Sequence, residues 1–117
     1  TGYCAVGIEH ADVMSAPIPT VHKLWKMLGR DGEKDYDLYE HNEAFASACL
    51  GVMQELGLKH EKLNVHGGAV AMGHPLGASG CRIVLALIHA LRRKGGKREF
   101  ATACLGGGMA TAIEVEV

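Results

Sequence analysis

The sequence carries no excess of either charge: twelve Lys and Arg stand against thirteen Asp and Glu, a formal net charge of −1. An electrostatic footprint for nucleic acid or for an anionic lipid surface is therefore missing. No apolar run approaches the roughly 20 residues needed to cross a bilayer, and the polar, Gly-containing N-terminus lacks the basic-then-apolar pattern of a signal peptide. Neither nucleic acid nor a membrane is expected as a partner. Cys4, Cys49, Cys81 and Cys104 form no CxxC pair, so neither a zinc site nor a disulfide framework is suggested. His10, His22, His41, His60, His66 and His89 share no metal-ligand spacing, and no metal is expected. Free thiols fit a reducing compartment, and the cytoplasm is the expected location. The Gly-rich stretch around residues 67–80 lacks both the GK[ST] ending of a phosphate loop and the GxGxxG spacing of a dinucleotide site. With only three prolines, no internal repeat and no low-complexity tract, the chain is neither disordered nor fibrous.

What is present is one domain's worth of sequence: 117 residues, 48% apolar and 21% charged, enough for a single packed core. Tyr3 to Ile8 reads as a buried strand. Val21, Leu24, Trp25 and Leu28 recur at helical spacing behind Pro17 and Pro19, and Gly29 supplies a C-terminal cap. Asp37 to Glu40 reads as a short strand running into Asn42, a good N-cap for a helix over 44–56. That helix is apolar almost all round, which predicts burial on every side in a central layer covered by a partner domain. Leu63 to His66 reads as a third strand, and a helix opens near Ser79 and runs to about Arg93. Its basic end, Arg92 to Arg98, is most simply a solvated terminus that complements the helix dipole. Phe100 to Leu105 and Met109 to Val117 are strands joined by three glycines. The order β-α-β-α-β-α-β-β implies an α/β fold: a mixed, mostly parallel five-stranded sheet ending in an antiparallel hairpin, with helices on both faces. The opening at Thr1 beside strand-like residues suggests that further sequence belongs upstream.

Three stretches just beyond strands carry the candidate chemistry: His41 to Phe45, Asn64 to Gly80 and Cys104 to Gly108. Ligands of open α/β sheets collect at strand carboxyl ends, so the three could converge on one site. His74 is held extended by Pro75 in a flexible loop, though a surface imidazole among turn glycines would look the same. Cys104 ends an apolar strand, as a buried structural thiol often does, but the glycines behind it offer bare N–H groups suited to an oxyanion hole. A cysteine with a histidine elsewhere in the chain is a familiar nucleophile or base pairing. Asn42 reads equally as a helix cap, and Phe45 as a core residue.

Together, NEAFA at 42–46, NVHGGAVAMGHPLGASG at 64–80 and CLGGGMATA at 104–112 closely resemble the C-terminal domain of thiolases, in spacing and in order, over nearly the whole chain. The resemblance implies a reversible Claisen condensation of two acetyl-CoA to acetoacetyl-CoA, or thiolytic cleavage of a 3-ketoacyl-CoA. It makes His74 the GHP histidine that activates a nucleophilic cysteine, and Cys104 the CxGGG acid/base. Asn42 becomes the holder of a water in the oxyanion hole shared with His74, Gly106 a backbone donor of a second hole, and Ala44 and Phe45 pocket lining. Coenzyme A thioesters are the implied substrates, with no cofactor. The family's nucleophilic cysteine lies in an N-terminal domain, and none of Cys4, Cys49 and Cys81 occupies its motif. The chain would therefore need an N-terminal thiolase domain or subunit, in a homo-oligomer of the full enzyme. Ala16, His41 and Ala110 depart from the family pattern. A non-catalytic thiolase-like module for acyl-CoA or lipid binding, or for assembly, is the alternative.

Overall fold

A computed structural model describes residues 1–117. Strand β1 (Gly2–Gly7) is followed by a 3-10 segment and by helix α1 (Pro17–Leu28). Strand β2 (Leu38–His41) leads to helix α2 (Ala46–Glu55), the single-turn helix α3 (Ala69–Met72) and the long helix α4 (Leu76–Lys94). Strands β3 (Arg98–Leu105) and β4 (Met109–Glu116) complete one sheet of order β1-β4-β3-β2.

Helix α1 forms where the apolar stripe and its punctuation agree. Pro17 stands in its first turn, where a missing N–H costs nothing, and Gly29 stops it in the left-handed conformation at φ 65°. The Arg30 N–H then closes onto the Trp25 carbonyl at 2.8 Å. Its inner face delivers Val21, Leu24 and Trp25 to a cluster with Cys4, Tyr39, Phe100 and Ala112 from the sheet, Tyr36 from the segment ahead of β2, and Cys49 and Val52 from α2. Tyr36 and Phe100 meet edge to face at 4.9 Å between ring centres, an arrangement favoured by the ring quadrupoles. Successive strand residues point to opposite sides, so Leu38 and Ala101 face the other way, under Ile83, Leu87 and Leu91 of α4. Helices therefore lie on both faces, as expected.

At the edge of the first cluster sits a buried carboxylate. Glu114 accepts hydrogen bonds from Arg30 Nε at 2.9 Å, Tyr36 Oη at 2.6 Å and Thr1 Oγ1 at 2.7 Å. Burial alone would raise its pKa, but these donors outweigh it and hold the group at about 2.

Three expectations are corrected. The sheet has four strands, not five: residues 63–66 contribute only a single parallel bridge, Leu63 to Tyr39. The reason is Asn64, which turns left-handed at φ 49° and offers its side-chain Oδ1 to the His41 N–H at 2.8 Å, filling the position a further strand carbonyl would occupy. The sheet is not mostly parallel either. Only β2 and β3 run parallel, because β4 inserts between β3 and β1 and pairs antiparallel with both. Finally, α2 starts at Ala46 rather than at Ala44 and has Phe45 rather than Asn42 at its N-cap, since Glu43 takes a left-handed turn at φ 57°. One face of α2 is covered, through Ala48, Cys49 and Val52, while Leu50 stays 53% exposed.

Candidate active site

The single parallel pair sets the site. Asn42 leaves the carboxyl end of β2, and its backbone N–H donates to the Thr102 carbonyl of β3 at 3.0 Å. Two residues further along β3 comes Cys104, so both groups leave adjacent strands at the same end. The β3–β4 hairpin turns through Gly106, Gly107 and Gly108, the last two at φ 80° and 79°. A Cβ on Gly108 would lie 2.5 Å from the Ile8 carbonyl oxygen, so only glycine lets the hairpin pack on the chain leaving β1.

His74 stands between α3 and α4. Pro75 is extended and begins the cap of α4, which starts at Leu76, three residues earlier than the expected Ser79. Ser79 is instead buried in the first turns of α4, and its Oγ lies 2.7 Å from His74 Nδ1 and 3.0 Å from the Pro75 carbonyl. A carbonyl can only accept, so the one hydroxyl proton of Ser79 goes to Pro75, and Ser79 in turn accepts from His74 Nδ1–H. This arrangement makes Nε2 the accepting nitrogen of the ring, the tautomer a general base requires. Asn42 Nδ2 lies 3.2 Å from Nδ1 and 3.4 Å from Nε2 of the same ring. Asn42 itself is 1% exposed and accepts at Oδ1 from Arg82 of α4 at 3.1 Å.

All six residues singled out from sequence, Asn42, Ala44, Phe45, His74, Cys104 and Gly106, line one groove of about 830 Å³. It is also lined by Ala103, Thr111 and Ile113 on the α4 side of the sheet, by Leu76 and Ile83 of α4, and by Val13 and Met14 of the 3-10 segment. The groove is mostly apolar, with a few convergent polar groups at one end, the usual composition of a small-molecule site. Partial burial pushes the Cys104 thiol up from its ordinary value. Cys49, on the buried face of α2 beside Glu43, is pushed up to about 12, first by burial and then by that carboxylate. His41, packed away on the opposite face, is lowered to about 4 by burial.

Asn42 is therefore not a helix cap; its amide is committed to His74 and Arg82. Sequence reasoning missed Ser79 and Arg82. The signal that could have found Ser79 is its place on the first turn of a helix entered through the His74-Pro75 dipeptide. Arg82 follows three residues later on the same helical face.

No helix is long and apolar enough to cross a membrane. A family model described as the C-terminal domain of thiolase matches residues 1–117. An acetyl-CoA acetyltransferase of Chromobacterium violaceum is 47% identical over 115 residues, 98% of this chain and 29% of that protein. A cytosolic acetyl-CoA acetyltransferase of Mus musculus is 48% identical over 110 residues, 94% of this chain and 28% of that protein. The crystal structure of human mitochondrial 3-ketoacyl-CoA thiolase in complex with CoA superposes with a TM-score of 0.95 at 44% identity, covering 99% of this chain and 29% of that one. The chain thus spans under a third of the length of these relatives. With its whole length matched and its fold shared, this chain belongs to the thiolase family, as a thiolase C-terminal domain.

Proposed function

We propose that the chain supplies the acid/base half of a thiolase active site, in which two acetyl-CoA condense to acetoacetyl-CoA and free CoA, or a 3-ketoacyl-CoA is cleaved by the reverse path. The observation that carries this reading is the convergence of His74, Asn42 and Cys104 on one apolar groove. The nucleophilic cysteine comes from an N-terminal thiolase domain or subunit, and the full enzyme is a homo-oligomer.

In the first half-reaction His74 Nε2 takes the proton of that cysteine, whose thiolate attacks the thioester carbon, while Cys104 gives its proton to the departing CoA thiolate and is left as the thiolate. The Ser79 bond fixes His74 in the tautomer able to do so. In the second, the Cys104 thiolate removes an α-proton from a second acetyl-CoA, and the resulting carbanion attacks the acyl-enzyme to form the new carbon–carbon bond. The departing enzyme thiolate takes a proton back. A thiolate is a weak base for this task, so the enolate oxygen needs preorganised donors, each worth about 3–4 kcal/mol. Asn42 with His74 serves one oxyanion hole, and Gly106 the other. Ala44 and Phe45 border the acyl and pantetheine end. The substrates are coenzyme A thioesters, and no cofactor takes part in these steps. Free thiols favour the cytoplasm as the compartment.

The test is to assemble this chain with a thiolase N-terminal part and assay acetoacetyl-CoA formation from acetyl-CoA. Condensation that needs both parts supports the reading. Acyl-CoA binding without any turnover would favour the non-catalytic module instead.

A further inference from the structure

One guanidinium ties the two elements of the site together. Arg82, on the second turn of α4, donates through Nη2 to Asn42 Oδ1 at 3.1 Å and through Nη1 to the Gly73 carbonyl. Gly73 sits at φ 85°, directly before His74. Arg82 therefore bridges the carboxyl end of β2 to the loop that carries the histidine. The bridge also decides an orientation that burial of Asn42 alone leaves open. An arginine has five donors and no acceptor, so the Asn42 atom facing it is the oxygen, and Nδ2 is left to face His74. Were the amide turned over, two donors would meet at Arg82, and an acceptor would face the ring where the site needs an N–H. A carboxylate lies behind the clamp. Glu40 is 2% exposed with its Oε1 unpartnered, and the Arg82 charge lowers its proton affinity against a larger effect of burial.

We infer that Arg82 is a positioning residue of the condensing site: its two terminal nitrogens clamp Asn42 and the Gly73 carbonyl, so that the Asn42 N–H is aimed beside His74 at the place where an acyl oxygen gains charge. This assignment rests on the thiolase reading for its chemistry, but not for its geometry. A lysine cannot reproduce it, because a point charge on a flexible stem makes no two-pronged contact in one plane.

The experiment compares wild type, Arg82→Gln, Arg82→Lys, Asn42→Ala and the double variant Arg82→Gln/Asn42→Ala in the full enzyme carrying this chain. Misplacing an oxyanion donor by about 1 Å costs on the order of 100-fold, so Arg82→Gln is expected to lower kcat by about that factor with little change in KM. Arg82→Lys is expected to fall with it. In the Asn42→Ala background the same Arg82→Gln change should add almost nothing, because the group it positions is already gone. Multiplying losses in the double variant, or an Arg82→Gln enzyme as active as wild type, would overturn the inference. A second readout does not depend on turnover: the side-chain NH2 signals of Asn42 and the imidazole nitrogens of His74, followed by 15N NMR. They should shift in Arg82→Gln and in Arg82→Lys, and identical spectra would overturn the positioning role even if the enzyme proves active. A wild type without condensation activity would instead sink the thiolase chemistry while leaving this spectral test standing. If Arg82→Gln fails to fold, Arg82→Lys carries the same comparisons.

Discussion

Phe100 and Ala101 are neighbours on β3 and face two different environments. Phe100, on the side of α1 and α2, is fully buried in a cluster of thirteen residues that includes Trp25, Tyr36 and Tyr39. Ala101 faces α4 and a cluster of six, which covers only the β2 and β3 half of the sheet. Beyond it the same face opens, with Tyr3 79% exposed and Leu76 83% exposed at the rim of the groove. One face is closed with large side chains; the other ends in a groove that carries the polar candidates. The closed face stabilises the fold, and under the proposed function the open one leaves space for a substrate and for an N-terminal part. A residue's effect should therefore depend on which side of the sheet it faces, and the predictions below press on that division.

The largest stability effect is expected at Phe100. Phe100→Ala removes the ring that meets Trp25, Tyr36 and Tyr39, and should cost about 3–5 kcal/mol, read as a lowered denaturation midpoint with unchanged slope. A loss below 1 kcal/mol would mean that the closed face does not hold the fold.

Next comes Glu40, on the α4 side. Burial pushes its pKa up to about 8, against an ordinary value near 4.3. A folded-state pKa above the unfolded one means that the folded chain binds the proton more tightly between these values. Its contribution is thus fully present below about pH 4.3 and is lost as pH rises towards 8. Glu40→Gln should accordingly be near neutral for stability at pH 4.5 and stabilising by roughly 1–3 kcal/mol at pH 8.5, checked by urea unfolding at the two values. Glu99, pushed to about 7 by burial with both oxygens unpartnered, acts in the same direction. Equal effects of Glu40→Gln at both pH values would refute this sign.

The smallest effect is expected at the open rim. Tyr3→Ser should change stability by no more than about 0.5 kcal/mol, since little of the side chain is buried. Under the proposed function the same change should weaken association with the N-terminal part, measured by titration calorimetry. A large stability loss without any effect on association would reverse the assignment of the two faces.

Much of this division was legible in the sequence. The α1 stripe, its prolines and Gly29 act locally, so they specify the helix without help from the rest of the chain. The Gly106 to Gly108 hairpin is local as well, and its two strands were read correctly. The six candidate residues came from three stretches expected just beyond strands, and they share one groove even though residues 63–66, ahead of His74, form no strand. What escaped depended on partners distant in sequence. A strand at 63–66 was expected from its apolar residues, yet whether it pairs depends on the β2 edge, where the Asn64 side chain takes the His41 N–H. The direction of β1 depends on β4, more than a hundred residues away. Asn42 carried a local signal, helix capping, that lost to a tertiary one, the Arg82 and His74 contacts. Arg82 shows the same limit, because nothing in its local pattern reports that its guanidinium reaches Asn42, whereas Ser79 carries only the weak signal of a helix start just after His74-Pro75.

The most direct test concerns the division of labour that the proposed function sets between the thiol in this chain and one in an N-terminal part. The reassembled enzyme, as wild type and as Cys104→Ser, should be given α-deuterated acetyl-CoA and followed for both covalent acetyl-enzyme by intact mass and loss of deuterium to solvent. General acid/base groups contribute on the order of 10²- to 10⁴-fold. The account predicts that Cys104→Ser still becomes acetylated on the N-terminal part, while deuterium washout and acetoacetyl-CoA formation both fall by such a factor. Washout at the wild-type rate in Cys104→Ser, or acetylation abolished together with condensation, would contradict it.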